Sequence, residues 1–126
     1  MTTPIKAVLA TGFAQPRFTI KRGDTIPPIV AQIVDPYGAS GLTGAMSVEL
    51  RYWPSSCCSL PPESSVRTVN CTVSNASIGV VSAFLSAEDT AVAGEYEMEF
   101  RVTYPNGARF TAPNDGNLEL VIVDHP

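Results

Sequence analysis

Hydrophobic and polar residues alternate most strictly along Glu95–Tyr104. Tyr96, Met98, Phe100, Val102 and Tyr104 take one side, and Glu95, Glu97, Glu99, Arg101 and Thr103 the other. A period of two sustained over this stretch predicts a strand with one face in a core and the other in water. Pro105-Asn106-Gly107 comes next and predicts a tight reversal, because Asn-Gly readily takes positive φ. Phe110-Thr111 is then expected to pair back across the hairpin. After a bulge or turn at Pro113–Gly116, the run Asn117–Val123 offers Leu118, Leu120 and Ile122 as a closing strand. The remaining strands are expected beside or across this hairpin.

The same patterning recurs upstream. Met46, Val48, Leu50 and Tyr52 alternate with Ser47, Glu49 and Arg51, a second clean strand and the expected partner of the first. In Arg17–Lys21, Phe18 and Ile20 face inward, and Arg22-Gly23-Asp24-Thr25 turns the chain. Ile29–Val34 is nearly continuously apolar, which suits a strand covered on both faces. Asp35-Pro36-Tyr37-Gly38 is a turn in which proline presets φ and glycine supplies the left-handed position. Val66–Val73 places Val69, Cys71 and Val73 on one face, and Ile78–Leu85 is a further β-branched run with Phe84 in it. Ser86–Thr90 reads as an N-cap followed by one helical turn, with acids near the free amides; Ala93-Gly94 ends it.

Residues 1–16 have no sustained period and form an N-terminal arm: a flexible tail, a first edge strand or a segment ordered on a partner. Residues 17–126 form the domain. Trp53–Ser65, with Pro54, Pro61, Pro62 and many serines, is the longest aperiodic stretch and the expected contact loop. Seven to eight short strands with frequent turn signals predict an all-β fold, an antiparallel two-sheet β-sandwich of immunoglobulin-like type. The disulfide-and-tryptophan core of antibody domains is not expected, since Trp53 falls at a strand end.

Composition narrows the function classes. The 126 residues make one domain, and 44% hydrophobic content supplies a core without metals or crosslinks. Eleven prolines and nine glycines favour turns and short strands over long helices. A formal charge of −4 repels phosphate backbones, so no nucleic-acid partner is expected. No apolar run approaches the ~20 residues that span a bilayer, so no membrane partner is expected either. The run Ala7–Ala10 after Lys6 is too short for a signal-peptide core of ~7–15 residues. The expectation is a soluble protein held in the cytoplasm until it assembles with something.

The three cysteines, Cys57, Cys58 and Cys71, do not form the even framework of a secreted disulfide scaffold. Free thiols are the leading reading, with a bridge from Cys57 or Cys58 to Cys71 as the alternative. Zinc is not expected: the single histidine is His125, and no C-x-x-C pair is present.

No catalytic constellation stands out, and the chain is expected to be non-enzymatic and free of cofactors. Nucleophilic catalysis would need a base beside a serine or cysteine, and His125 is the only histidine. Glu97 and Glu99, or Glu88 and Asp89, have the residue types of a glycosidase pair. Alternate glutamates on a strand are better read as a solvated face, eased by cross-strand Arg51 and Arg101. Asn114-Asp115-Gly116-Asn117 is a turn rather than a calcium loop. Arg22-Gly23-Asp24 spells an adhesive tripeptide but fits a strand-to-strand turn. Asn70-Cys71-Thr72 and Asn75-Ala76-Ser77 spell glycosylation sequons, the first inside a strand. What remains is an interface: Tyr37, Trp53, Leu60, Pro61 and Pro62, with Phe13 on the arm, are the candidate contact residues, a cap on the end of the core being the alternative for Trp53.

Two groups of motifs add a resemblance. The first is Arg17-Phe18-Thr19-Ile20-Lys21-Arg22-Gly23-Asp24-Thr25, Asp35-Pro36-Tyr37-Gly38 and Leu42-Thr43-Gly44-Ala45. The second is Leu85-Ser86-Ala87-Glu88-Asp89-Thr90, Ala93-Gly94-Glu95-Tyr96, Glu99-Phe100 and Thr111-Ala112-Pro113-Asn114-Asp115-Gly116. Together they resemble the small Ig-like domains of tailed-bacteriophage structural proteins, closest to the N-terminal domain family of the phage upper baseplate protein. The likeness runs over about residues 17–123; Trp53–Ser65 lies outside the shared pattern, and no fibre region follows Val123. It implies a virion protein made in the bacterial cytoplasm, with no catalytic residues to carry over. Expected partners are tail, baseplate, fibre or major capsid proteins in a multi-copy symmetric assembly. The expected role is an adaptor or attachment module. Capsid decoration and carbohydrate or cell-surface binding are the alternatives.

Overall fold

The computed structural model of the chain describes residues 6–9, 17–34, 47–55, 66–75, 79–112 and 118–124. Among them every regular element is a strand: β1 (Lys6–Leu9), β2 (Arg17–Lys21), β3 (Ile29–Val34), β4 (Ser47–Pro54), β5 (Arg67–Asn75), β6 (Val80–Ala83), β7 (Gly94–Thr103), β8 (Arg109–Ala112) and β9 (Leu118–Val123). They are hydrogen-bonded in the order β1-β3-β6-β5-β4-β7-β9-β2, with β8 also on β7.

Period-two patterning decides which side faces in. Phe18 and Ile20, Val48, Leu50 and Tyr52, Met98, Phe100 and Val102, and Leu118, Leu120 and Ile122 are all buried. They join Ile29, Ala31, Ile33, Val81 and Ala83 from the other half of the path in a single core. The strands therefore curl around one apolar interior, most of the way to a closed barrel.

This architecture corrects the expected one in two respects, strand number and pairing. There are nine strands among the described residues rather than seven or eight. The pairing is mixed, because β2 lies parallel to β9 in the register Arg17↔Glu119 to Lys21↔Val123. The strands also form one continuous path. Its continuity comes from β5, which pairs with β4 through Arg67–Asn70 and with β6 from Cys71 onward. A nine-residue strand is long enough to leave one neighbour and join another.

β7 is the centre of the path. β4 lies antiparallel along its full length, from Ser47↔Thr103 to Pro54↔Tyr96. Its other edge is shared, with β8 beside Phe100–Thr103 and β9 beside Gly94–Met98. The β7–β8 turn differs from the expected Asn-Gly form, since Gly107 has φ 89° and no non-glycine residue among those described has positive φ. Gly107 N–H donates to the Tyr104 carbonyl, and Tyr104 N–H to the Ala108 carbonyl. Pro105 presets the first corner, Asn106 Oδ1 accepts from Ala108 N–H at 3.0 Å, and only glycine needs the left-handed region.

Of the expected arm, Lys6–Leu9 takes the edge-strand alternative, antiparallel to β3 with Leu9 opposite Ala31.

Candidate functional site

The best-organised loops lie where the β2–β3 turn meets the β6–β7 connection. Gly23, at φ 86°, donates its N–H to both the carbonyl and Oγ1 of Thr90, each at 3.1 Å. The Thr90 hydroxyl donates in turn to the Asp24 carbonyl at 2.9 Å. Thr90 is fully buried, so one threonine satisfies the polar backbone of the facing turn. The Arg22-Gly23-Asp24 tripeptide is thus a strand-to-strand turn held from behind, with Arg22 bridged to Asp124 at 3.0 Å.

Ser86–Thr90 forms the single turn the sequence predicts, closed reciprocally. Ser86 N–H donates to Asp89 Oδ2 at 2.8 Å, and Asp89 N–H donates to Ser86 Oγ at 3.1 Å. Arg67 on β5 donates to Asp89 Oδ1 at 2.8 Å, and the Tyr52 hydroxyl donates to the Asp89 carbonyl at 2.8 Å. Burial opposes the Asp89 charge, but the hydrogen bonds from Ser86 and Arg67 outweigh it and hold the carboxyl below its ordinary value. Burial, reinforced by the neighbouring Asp89 carboxylate, pushes the Tyr52 phenol up to about 12. Tyr52 meets Tyr96 edge-to-face at 5.6 Å, and the Tyr96 hydroxyl donates to the Val92 carbonyl at 2.7 Å. This knot fixes the loop that carries Val92.

Beside it lies an open cleft of about 450 Å³, lined by Pro54, Ser55, Val92, Ala93, Gly94, Glu95 and Tyr96. Val92 is 67% exposed, one of few large apolar side chains on the described surface. A second hollow of about 340 Å³ adjoins it and shares Ser55 and Glu95, adding Glu97, Leu118 and Glu119. The two form one groove over the start of β7, apolar at the Val92 end and acidic at the Glu119 end. Ser55 N–H donates to the Glu95 carbonyl at 2.9 Å, and β9 pairs the opposite edge of β7.

The glutamate face of β7 departs from the expected solvated surface. Arg51 and Glu99, cross-strand partners, form an ion pair at 3.2 Å, with side chains only 12% and 16% exposed. Glu49 stands opposite Arg101, and Arg17 bridges Glu119 at 3.0 Å. The cross-strand cations the sequence suggested are in register, but the face is half-covered rather than wet.

Trp53 is 6% exposed and buried on β4, which corrects its reading as an exposed anchor and agrees with the alternative that it belongs to the core. Strand alternation sends it to the face opposite Tyr52, across from Glu97. The other candidate contact residues, Phe13, Tyr37, Leu60, Pro61 and Pro62, lie outside the described residues, as do Cys57 and Cys58. Cys71 is a free, half-buried thiol whose pKa burial pushes up to about 12. Among the described residues no group of three or more His, Cys, Asp or Glu side chains is arranged to hold a metal ion.

The groove itself escapes sequence reading. Its signals are a valine, Val92, in the β6–β7 connection, and a proline ending β4; neither is distinctive without the pairing of β4, β7 and β9. No protein-family model matches the chain, and no curated protein matches it.

Proposed function

We propose that this chain is a non-enzymatic structural module of a tailed-phage particle, an adaptor or attachment piece at the tail, baseplate or fibre joint, built as an Ig-like β-sandwich. One observation carries the reading. The two groups of motifs that resemble the phage Ig-like domains, Arg17–Thr25 and Leu85–Tyr96, converge in the fold through Gly23, Asp24 and Thr90. Ser86, Asp89 and Tyr96 close hydrogen bonds within the second group. The motifs do architectural work, as a shared fold without shared chemistry requires.

Two further features support the sandwich. β1 lies with β3 and β6, whereas β2 lies beside β9 and β7, which supports assigning the first stretch of chain to two different sheets. Tyr96, near the start of β7, bonds the carbonyl four residues upstream, as the corner tyrosine of Ig folds does. Met98, fully buried two residues later, stands where antibody domains carry a cysteine.

In a symmetric particle, weak contacts from each copy add through effective concentration. Gold-labelled antibody against the chain, applied to intact particles of the phage that encodes it, is expected to mark the tail. Label spread over the head would favour capsid decoration, and unlabelled particles would overturn the virion reading.

A further inference from the structure

We propose that two copies of this chain associate about a twofold axis through the outward side of β3, β6 and the second half of β5. The proposal stands on how charge is distributed over the strands and is independent of the virion reading.

The inward residues of β3 and β6, Ile29, Ala31, Ile33, Val81 and Ala83, are buried in the core, so alternation turns the residues between them outward. Register sets these in rows: Thr72, Ser82 and Val30 stand side by side, with Val80 and Gln32 in the next row. Phe84 continues the alternation past β6, since Leu85 after it is buried. Neither β3, nor β6, nor Cys71–Asn75 of β5 contains an Asp, Glu, Lys or Arg. The rest of the path differs. Arg17 and Lys21 on β2, Glu49 and Arg51 on β4, and Glu99 and Arg101 on β7 make its outward side charged. The ion pairs Arg51–Glu99 and Arg17–Glu119 run across it. β1 borders the uncharged area along β3 and brings Lys6 opposite Val34, the end of β3 far from Phe84.

Isolated apolar side chains on a surface are ordinary, but a loss of charge together with an aromatic residue marks an interface. Phe84 is 58% exposed, and Ile26, just before β3, is 71% exposed. The antiparallel pair Ile29↔Ala83 places both at the same end of the strands. The Ser74 and Ser82 hydroxyls bond each other at 2.8 Å, so covering them leaves neither without a partner. Charge returns in the adjoining loops, at Asp24 and Glu88, as it does at the rim of an interface.

The lack of charge selects the occupant. A twofold contact sets a patch against its own copy, so a charged patch meets its own sign and an uncharged one does not. The chain carries a net charge of −4, and the uncharged area is where two copies approach with least repulsion. A different protein is commonly picked out by complementary charge, which this area does not offer.

Sedimentation equilibrium of the purified protein from about 1 μM to 1 mM covers the dissociation constants of a small interface. The protein is expected to pass from monomer to dimer over that range, with concentration-dependent amide shifts at Val30, Gln32, Thr72, Val80, Ser82 and Phe84. Added salt should not weaken the dimer, because no ion pair holds it. Phe84→Ala should raise the dissociation constant about tenfold, the scale of a lost aromatic anchor. Phe84→Glu, and Thr72→Glu at a second exposed position, should each give a folded monomer. Thr19→Glu adds the same charge on the exposed side of β2 and should leave the dimer intact. A monomer at every concentration, shifts confined to the charged strands, a dimer that salt dissolves, or a dimer that survives both glutamates would overturn the proposal, whatever the particle-labelling result.

Discussion

At the scale of single residues, burial separates neighbours that look alike in the sequence. Phe100 is fully enclosed, and Phe100→Ala is expected to cost about 3–5 kcal/mol in denaturant unfolding. Glu99 would cost almost nothing on a solvated face. Its ion pair with the nearly buried Arg51 instead predicts a loss of about 1–3 kcal/mol for Glu99→Ala. A double-mutant cycle with Arg51→Ala should return a clear coupling energy, and additivity would place the pair in free solvent. Asp89 carries the acid dependence. Its folded pKa is depressed, so its contribution is complete above the unfolded value and fades as pH falls below about 4 toward the folded value. The stability gap between the wild type and Asp89→Asn should therefore shrink on acidification through that window. A gap constant from neutral pH down to acid would show that the Ser86 and Arg67 bonds do not act on the charge.

At the scale of elements, the strands were legible in advance because period two needs only the identity of alternating residues. Arg17–Lys21, the β7 pattern and the closing run at Leu118, Leu120 and Ile122 all face as read. The Ser86–Asp89 turn was legible too, since capping chemistry is local. What the β2–β3 turn leans on was not. Thr90 looks like an ordinary turn residue until the fold brings Gly23 and Asp24 against it from 66–67 residues away. Thr90→Val keeps the shape but removes the hydroxyl that binds Gly23 N–H and the Asp24 carbonyl, leaving Gly23 only the Thr90 carbonyl, at an expected cost of about 0.5–1.5 kcal/mol; Thr90→Ser should recover most of it. A loss from Thr90→Ser with none from Thr90→Val in thermal unfolding would mean that the methyl group matters and the hydroxyl does not.

At the scale of the molecule, one core closes the strand path and leaves β1 and β2 at its two ends. The β2 edge carries Arg17 and Lys21, charges that discourage pairing with another chain. β1 covers the edge of β3. Removing residues 1–9 is therefore expected to expose β3 backbone groups, lowering stability and promoting self-association in sedimentation. A truncated protein as stable and monomeric as the parent would show that β1 adds nothing to the sheet. The arm thus has a structural duty in addition to any assembly contact, so loss of incorporation after truncation would not by itself identify it as the docking element. The groove beside Val92 can be altered through exposed side chains without touching the core.

The sequence alone determined the all-β class, the inward faces of β2, β4, β7 and β9, and the turns at Arg22–Thr25 and Pro105–Gly107, because alternation and turn chemistry depend on residues a few positions apart. Tertiary structure alone decided the parallel β2–β9 pair, the passage of β5 from β4 to β6, the burial of Trp53 and the groove where β4, β7 and β9 meet. Each depends on which distant strands share an edge, and such pairing is set by the shape and burial of the whole core. Local pattern specifies a strand's faces; it does not name the neighbours.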